Sequence, residues 1–311
     1  MWEGVQNAVL CDEDMVVTIA NTLPIASQLS AACVNKLLRQ LLQPRLAKVW
    51  KLMEPPFGFT RLDIQNRLSI NLDGREDINA SSLSTLADAI EEGALRYCEE
   101  LHCSRTSIRD DGVVCLCRAL SQEGLRRHEG LKHLHLFGLY RNHLGDKGVI
   151  ALSETLRAGC LPNLNCLLLN CNRLTDVSIA ALCKAARGGA LRQLEKLCLS
   201  ANQIGDDGAA SLAAAAAEMG AFASIRFLVL ERNLLRKRGM QCLAEAIAEH
   251  NGFPACSRHM LPSILLMGNP ASGLVVEQAI QKRDQTRLVR AGLLGAPRWH
   301  LELPRRAHFL R

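Results

Sequence analysis

Five asparagines, Asn142, Asn172, Asn202, Asn233 and Asn269, share one frame: an apolar residue stands eight, five and three positions before each, and usually another stands two positions after. The copies read Leu134, Phe137, Leu139, Asn142, Leu144; Leu164, Leu167, Leu169, Asn172, Leu174; Leu194, Leu197, Leu199, Asn202, Ile204; Ile225, Leu228, Leu230, Asn233, Leu235; and Leu261, Ile264, Leu266, Asn269. An upstream copy keeps the frame with Thr106 in the asparagine place (Cys98, Leu101, Cys103, Thr106, Ile108), and a further one, with Leu68, Ile70 and Leu72 followed by Ile78, needs one extra residue. Successive copies lie about 30 residues apart, with two intervals of about 36. A chain with such a period folds as a stack in which each copy buries its apolar face against the next, so its 311 residues make one elongated unit rather than two globules.

The spacing within a copy predicts a short strand and a helical return. The apolar residues five and three positions before the asparagine alternate, so both point inward from a strand, and the asparagine amide can bond backbone in the turn that follows, where neither sheet nor helix pairs it. Behind each strand comes a helical pattern such as Gly145-Asp146-Lys147-Gly148-Val149-Ile150-Ala151-Leu152 or Gly205-Asp206-Asp207-Gly208-Ala209-Ala210-Ser211-Leu212. Its aspartate suits a helix N-terminus and its glycines suit the turn.

The pattern L-x-x-L-x-L-x-x-N resembles the leucine-rich repeat, and the long helical return with its G-D-x-G-x-x-x-L turn is similar to the ribonuclease-inhibitor type. That resemblance covers roughly residues 60 to 280 and implies an α/β fold: a right-handed solenoid, or horseshoe, with parallel inner strands and outer helices. Function is not implied with the same specificity, because inhibitors, immune receptors, GTPase regulators and ubiquitin-ligase receptors share this architecture.

Residues 1–60 stand outside the frame, and Pro24, Pro44 and Pro55-Pro56 break their helical pattern into short pieces, so a small helical N-terminal unit is expected before the repeats of residues 61–280 and a basic tail of residues 281–311. The run Ile19-Ala20-Asn21-Thr22-Leu23-Pro24, then Leu29, Cys33-Val34-Asn35-Lys36, Arg39, Pro44 and Trp50, resembles a degenerate F-box, with Asp14-Met15 where a Leu-Pro usually opens the motif and Leu38 where a tryptophan is common. The resemblance implies that Leu23, Pro24, Leu29 and Val34 hold the small adaptor of a cullin-type ubiquitin ligase. The other reading of the same residues is a cap over the open edge of the first repeat.

Catalysis finds no foothold. There is no P-loop and no G-x-G-x-x-G after a strand. His133 and His135 flank Leu134 without an acidic or cysteine partner at ligand spacing, and Cys115 and Cys117 point to different sides of one predicted helix, so neither pair suits a metal. No cofactor and no enzymatic activity are expected. Thirteen cysteines without C-x-x-C pairs, and the interruption of the first apolar stretch by Asp12, Glu13 and Asp14, predict a reducing cytoplasmic or nuclear location. No stretch is long and apolar enough to span a membrane, and the arginines of the tail (Arg298, Arg305, Arg306, Arg311) have few aromatics among them, which argues against nucleic acid despite a net charge of +6.

Function is then expected on a surface, a non-catalytic interface for a protein partner. Strand residues between the inward leucines face the concave side of the horseshoe. They give Leu136, Gly138, Tyr140; Cys166, Leu168, Asn170; Lys196, Cys198, Ser200; Phe227, Val229, Glu231; and Ser263, Leu265, Met267, of which Leu136, Tyr140, Leu168, Asn170, Lys196, Phe227, Val229, Glu231, Leu265 and Met267 are the candidate partner-binding residues. The middle column, Gly138, Leu168, Cys198, Val229 and Leu265, carries no charge. Such a stripe predicts a docked apolar segment of a partner, or else cover from the chain itself, by tight curvature or by the segment containing Leu293, Leu294, Trp299, Leu301 and Leu303. With the F-box resemblance, the partner would be a ligase substrate. The alternative is a GTPase regulator, since GTPase-activating proteins of the nuclear-transport GTPase use similar long repeats to position groups already in the GTPase, although their tails are strongly acidic and this one is basic.

Overall fold

The computed structural model describes residues 69–91, 95, 97–121, 131–218, 220–256 and 263–290. The proposed helical unit of residues 1–60, with Leu23, Pro24, Leu29 and Val34, and the segment from residue 291 onward lie outside them, as do frame residues Leu68 and Leu261.

Among the described residues seven strands alternate with seven helices: β1 (Ser69–Asn71), α1 (Ala80–Glu91), β2 (Glu100–His102), α2 (Arg109–Ala119), β3 (Leu136–Gly138), α3 (Asp146–Arg157), β4 (Cys166–Leu168), α4 (Asp176–Arg187), β5 (Lys196–Cys198), α5 (Asp206–Ala217), β6 (Phe227–Val229), α6 (Lys237–His250), β7 (Ile264–Leu265) and α7 (Leu274–Arg290). The strands pair in sequence order as one open parallel sheet, each strictly in register with the next, so that Leu101, Phe137, Leu167, Leu197 and Leu228 form one row. Consecutive helices pack on one another along the other side. The core lies between the two layers, and the frame residues, Leu134, Phe137, Leu139, Leu144 and their counterparts in the next three copies, are all essentially inaccessible. α7 continues to Arg290, across the boundary expected at residue 280.

The asparagines join the copies. The Asn172 side-chain carbonyl accepts from the backbone N–H of Asn142 (2.9 Å) and Leu144 (3.0 Å), while its amide nitrogen donates to the carbonyls of Leu169 and Leu139, each at 3.0 Å. Asn202 and Asn269 repeat the arrangement in the following copies, and Asn233 repeats three of its four contacts, accepting from Ile204 and donating to the carbonyls of Leu199 and Leu230. Thr106 stands in the asparagine place: its hydroxyl lies 2.9 Å from the Cys103 carbonyl and 2.8 Å from the Asn142 side-chain oxygen, to which its backbone N–H also donates. In the first copy Ile78 occupies the place of Leu144, accepting from Ser107 as Leu144 accepts from Arg173, which accounts for the one-residue insertion.

A second ladder runs along the helix N-termini. Asp110 accepts from the backbone N–H of Gly145 (2.8 Å) and Gly148 (3.1 Å); Asp146 accepts from Thr175 and Ser178; Asp176 from Gly205; Asp206 from Arg236 and Gly239. Asp110, Asp146, Asp176 and Asp206, each in the first turn of one helix, thus cap the next helix, satisfying N–H groups that a helix leaves unpaired. This corrects the expected role of the second glycine of the motif. Gly148, Gly208 and Gly239 lie inside the first helical turn, and a Cβ there would meet the preceding aspartate's Oδ1 at 2.7, 2.5 and 2.6 Å. Ser178, at the same place in α4, puts its hydroxyl on that carboxylate instead. Asn79 caps α1 with its own side chain, which accepts from Ser81 and Ser82.

The last helix departs from the frame. Arg283 falls where Leu156, Ala186, Ala216 and Ile247 enter the core, and it is buried there. Its guanidinium donates to the carbonyls of Gly252, Phe253 and Cys256 and to the Asp284 carboxylate, so α7 is tied to the preceding copy by a charge where the other helices use an apolar side chain.

Candidate functional site

Parallel in-register pairing stacks equivalent side chains about 4.8 Å apart, so the residues between the inward leucines form three columns across the sheet's open face. Leu136, Cys166, Lys196 and Phe227 make the first; Gly138, Leu168, Cys198, Val229 and Leu265 the second; Tyr140, Asn170, Ser200, Glu231 and Met267 continue beyond the strand ends. All ten candidate residues are brought to this one face. Their exposure is less than an apolar stripe alone suggests: Leu136, Leu168, Phe227, Val229 and Leu265 are half-buried, Gly138 is buried and Cys198 nearly so, because each side chain leans on its neighbours in the adjoining strands. Met267 is the open end of the stripe, 76% exposed beside the edge strand β7.

Toward β1 the same face turns polar. Ser69, Asn71, Glu100 and His102 replace the aliphatic side chains, and His102 Nε2 lies 3.4 Å from Glu100. The Ser69 hydroxyl, with His102 and His135 behind it, holds the Glu100 carboxyl below the usual carboxylate range. His133 packs its ring 6.1 Å from Tyr97 rather than toward any ligand group. Among the described residues no three His, Cys, Asp or Glu side chains converge as a metal site would require. Burial pushes the thiols of Cys98, Cys183 and Cys256 up to about 12 and those of Cys117 and Cys198 to about 11, so Cys98, Cys117, Cys183 and Cys256 fill the core as small neutral groups, and neither they nor Cys198 on the open face offer a thiolate at neutral pH. On the helical side, a groove of about 290 Å³ between α6 and α7 is lined by Asn251, Lys282, Arg283 and Arg287, but Arg283 is engaged by backbone carbonyls and Arg287 by Asn251 and Pro254.

Segments 131–153 and 191–213 match the family described as Leucine Rich repeat, and they are the β3–α3 and β5–α5 copies of the frame. The fold is an α/β leucine-rich-repeat solenoid. No curated protein matches this chain. Leucine-rich repeats are protein-interaction scaffolds, and no helix among the described residues is long and apolar enough to cross a membrane.

Three features escaped the sequence reading. The aspartate ladder was legible only as helix-start aspartates, because the acceptor role spans two copies. Arg283 could have been found by laying α7 on the frame, where it occupies an apolar column. The arginines of the strand-to-helix turns could have been found beside the frame residues Thr106, Asn142, Asn172 and Asn233, as Arg105, Arg141, Arg173 and Arg232.

Proposed function

We propose that this chain is a non-catalytic receptor whose sheet face, the side predicted to be concave, binds an apolar segment of a protein partner. The carrying observation is the uncharged middle column, Leu168, Val229 and Leu265, flanked by Leu136, Phe227 and Met267 and bordered by Lys196, Asn170 and Glu231. Half-buried aliphatic side chains in a rigid row lose little conformational entropy on docking, and a polar border fixes register, the arrangement expected of an interface centre and its rim. Aromatic and methionine residues in the row, Tyr140, Phe227 and Met267, are the types that anchor such contacts.

In this reading the F-box-like segment of residues 1–60 delivers the bound partner to a cullin-type ubiquitin ligase through Leu23, Pro24, Leu29 and Val34. Affinity purification from cell extract with the whole chain, its Leu168→Asp and Phe227→Asp variants, and a Leu23→Asp, Val34→Asp variant tests both levels. Loss of the same captured proteins from both face variants is expected, with adaptor and cullin subunits lost only from the N-terminal variant. Unchanged capture by both face variants would remove the sheet face from consideration; absence of ligase subunits from the unaltered chain would leave residues 1–60 as a cap.

A further inference from the structure

The turns that lead from each strand to its helix form a rim along one border of the open face. Their aspartates are already engaged: Asp110, Asp146, Asp176 and Asp206 accept backbone N–H groups of the next copy, and the exposed Asp111 and Asp207 pair with Lys147 and Arg238. The rim's arginines are not engaged in this way. Arg105 and Arg141 sit at the left-handed position just before Thr106 and Asn142, and Arg173 sits just after Asn172; all three are exposed, on three successive copies. After the neutral Ala201 and Gln203, the row resumes with exposed Arg232 and Arg236. Among the described residues the first turn is acidic on balance, with Glu76 and Asp77 against Arg75, the β5–α5 turn carries Asp206 and Asp207 with no basic residue of its own, and Glu231 directly precedes Arg232.

This basic rim is continuous with the apolar face. Tyr140 belongs to the face and directly precedes Arg141, and the Arg105 guanidinium lies 5.5 Å from the centre of the Tyr140 ring. A segment long enough to cover Leu136 and Leu168 therefore passes beside Arg105, Arg141 and Arg173.

We propose that the rim recognises carboxylates of the partner, so that the bound segment is an acidic peptide: apolar residues on the sheet, Asp or Glu side chains along the Arg105–Arg141–Arg173 border. This deepens the receptor reading above and rests on it for the apolar half of the contact. Exposed arginines in a row raise the encounter rate with an acidic partner and discriminate against a basic one, and the effect weakens with salt.

A display library of random peptides about 15 residues long, selected on the full chain, tests the rim and the face separately. Enriched peptides from the unaltered chain are expected to combine a cluster of aliphatic or aromatic residues with an excess of Asp and Glu. Against an Arg105→Glu, Arg141→Glu, Arg173→Glu variant with unchanged circular dichroism, the acidic excess should disappear and the best peptide should bind about tenfold more weakly. Apolar peptides with no acidic excess would overturn the rim assignment and leave the face standing. Acidic peptides without an apolar cluster, still bound by Leu168→Asp, would keep the rim and sink the face. No enrichment at all would overturn both, and a single-stranded oligonucleotide that outcompetes the selected peptides through the same arginines would assign the rim to nucleic acid instead.

Discussion

Replacing Asn172 with alanine isolates what the asparagine ladder contributes. The side chain satisfies two N–H groups, of Asn142 and Leu144, and two carbonyls, of Leu139 and Leu169, at 2.9 to 3.0 Å in a turn where Asn142 and Leu144 are fully buried. The Leu169 carbonyl keeps the Asn202 amide as a donor at 3.0 Å, so three groups are left without a partner; each costs about 1–3 kcal/mol and water entering the vacated space recovers part of that, so a loss of about 2–5 kcal/mol is expected. Threonine should be intermediate, because Thr106 shows that a hydroxyl can reach the local carbonyl while the amide's bonds to the preceding copy are lost. Urea unfolding of the whole chain, followed by far-ultraviolet circular dichroism, gives the order unaltered, then Asn172→Thr, then Asn172→Ala, with Asn165→Ala as an exposed control that changes little. If Asn172→Ala costs less than about 1 kcal/mol, or no more than the Asn165 control, the inter-copy ladder is not what holds the stack.

Gly208→Ala should destabilise by about 1–3 kcal/mol although alanine is the better helix former by about 1 kcal/mol, because its Cβ would fall 2.5 Å from Asp176 Oδ1 and 2.7 Å from Ile204 Cγ2; a rise in melting temperature would refute the close-approach account. Arg283→Met should cost about 3–5 kcal/mol by stranding the Gly252, Phe253 and Cys256 carbonyls beside Asp284, with a lowered melting temperature as the readout and an unchanged one as the contrary result. The buried thiols predict alkaline instability. Cys98, Cys183 and Cys256 keep their protons to about pH 12 when folded, so between the ordinary thiol range and that value the unfolded state binds fewer protons and stability falls as pH rises. At pH 10 each such thiol should account for about 1.5–2 kcal/mol of lost stability, and denaturation midpoints that stay level from pH 8 to about pH 10 would contradict this.

The period, the inward leucines and the parallel strand order were legible in the sequence because a repeat states its own register: aligning the central apolar residue of each copy, Phe137 and its counterparts, fixes the strands, including those of the two copies without the asparagine, Leu101 and Ile70. The second motif glycine was misplaced for a definite reason. Its demand for space comes from an aspartate about 30 residues earlier, and no single copy contains both partners. Which residues reach the open face followed from alternation, whereas how far Leu168 or Cys198 protrudes depends on the size of side chains on both flanking strands. The end of the stack was the least legible part, since α7 breaks the apolar frame with Arg283.

A photo-crosslinking residue placed at Phe227, on the open face, and separately at Lys184, on the exposed side of α4, tests the central claim in cells. Covalent adducts to a partner from position 227 and none from position 184 are predicted. Adducts confined to position 184 would place the interface on the helices and contradict the account.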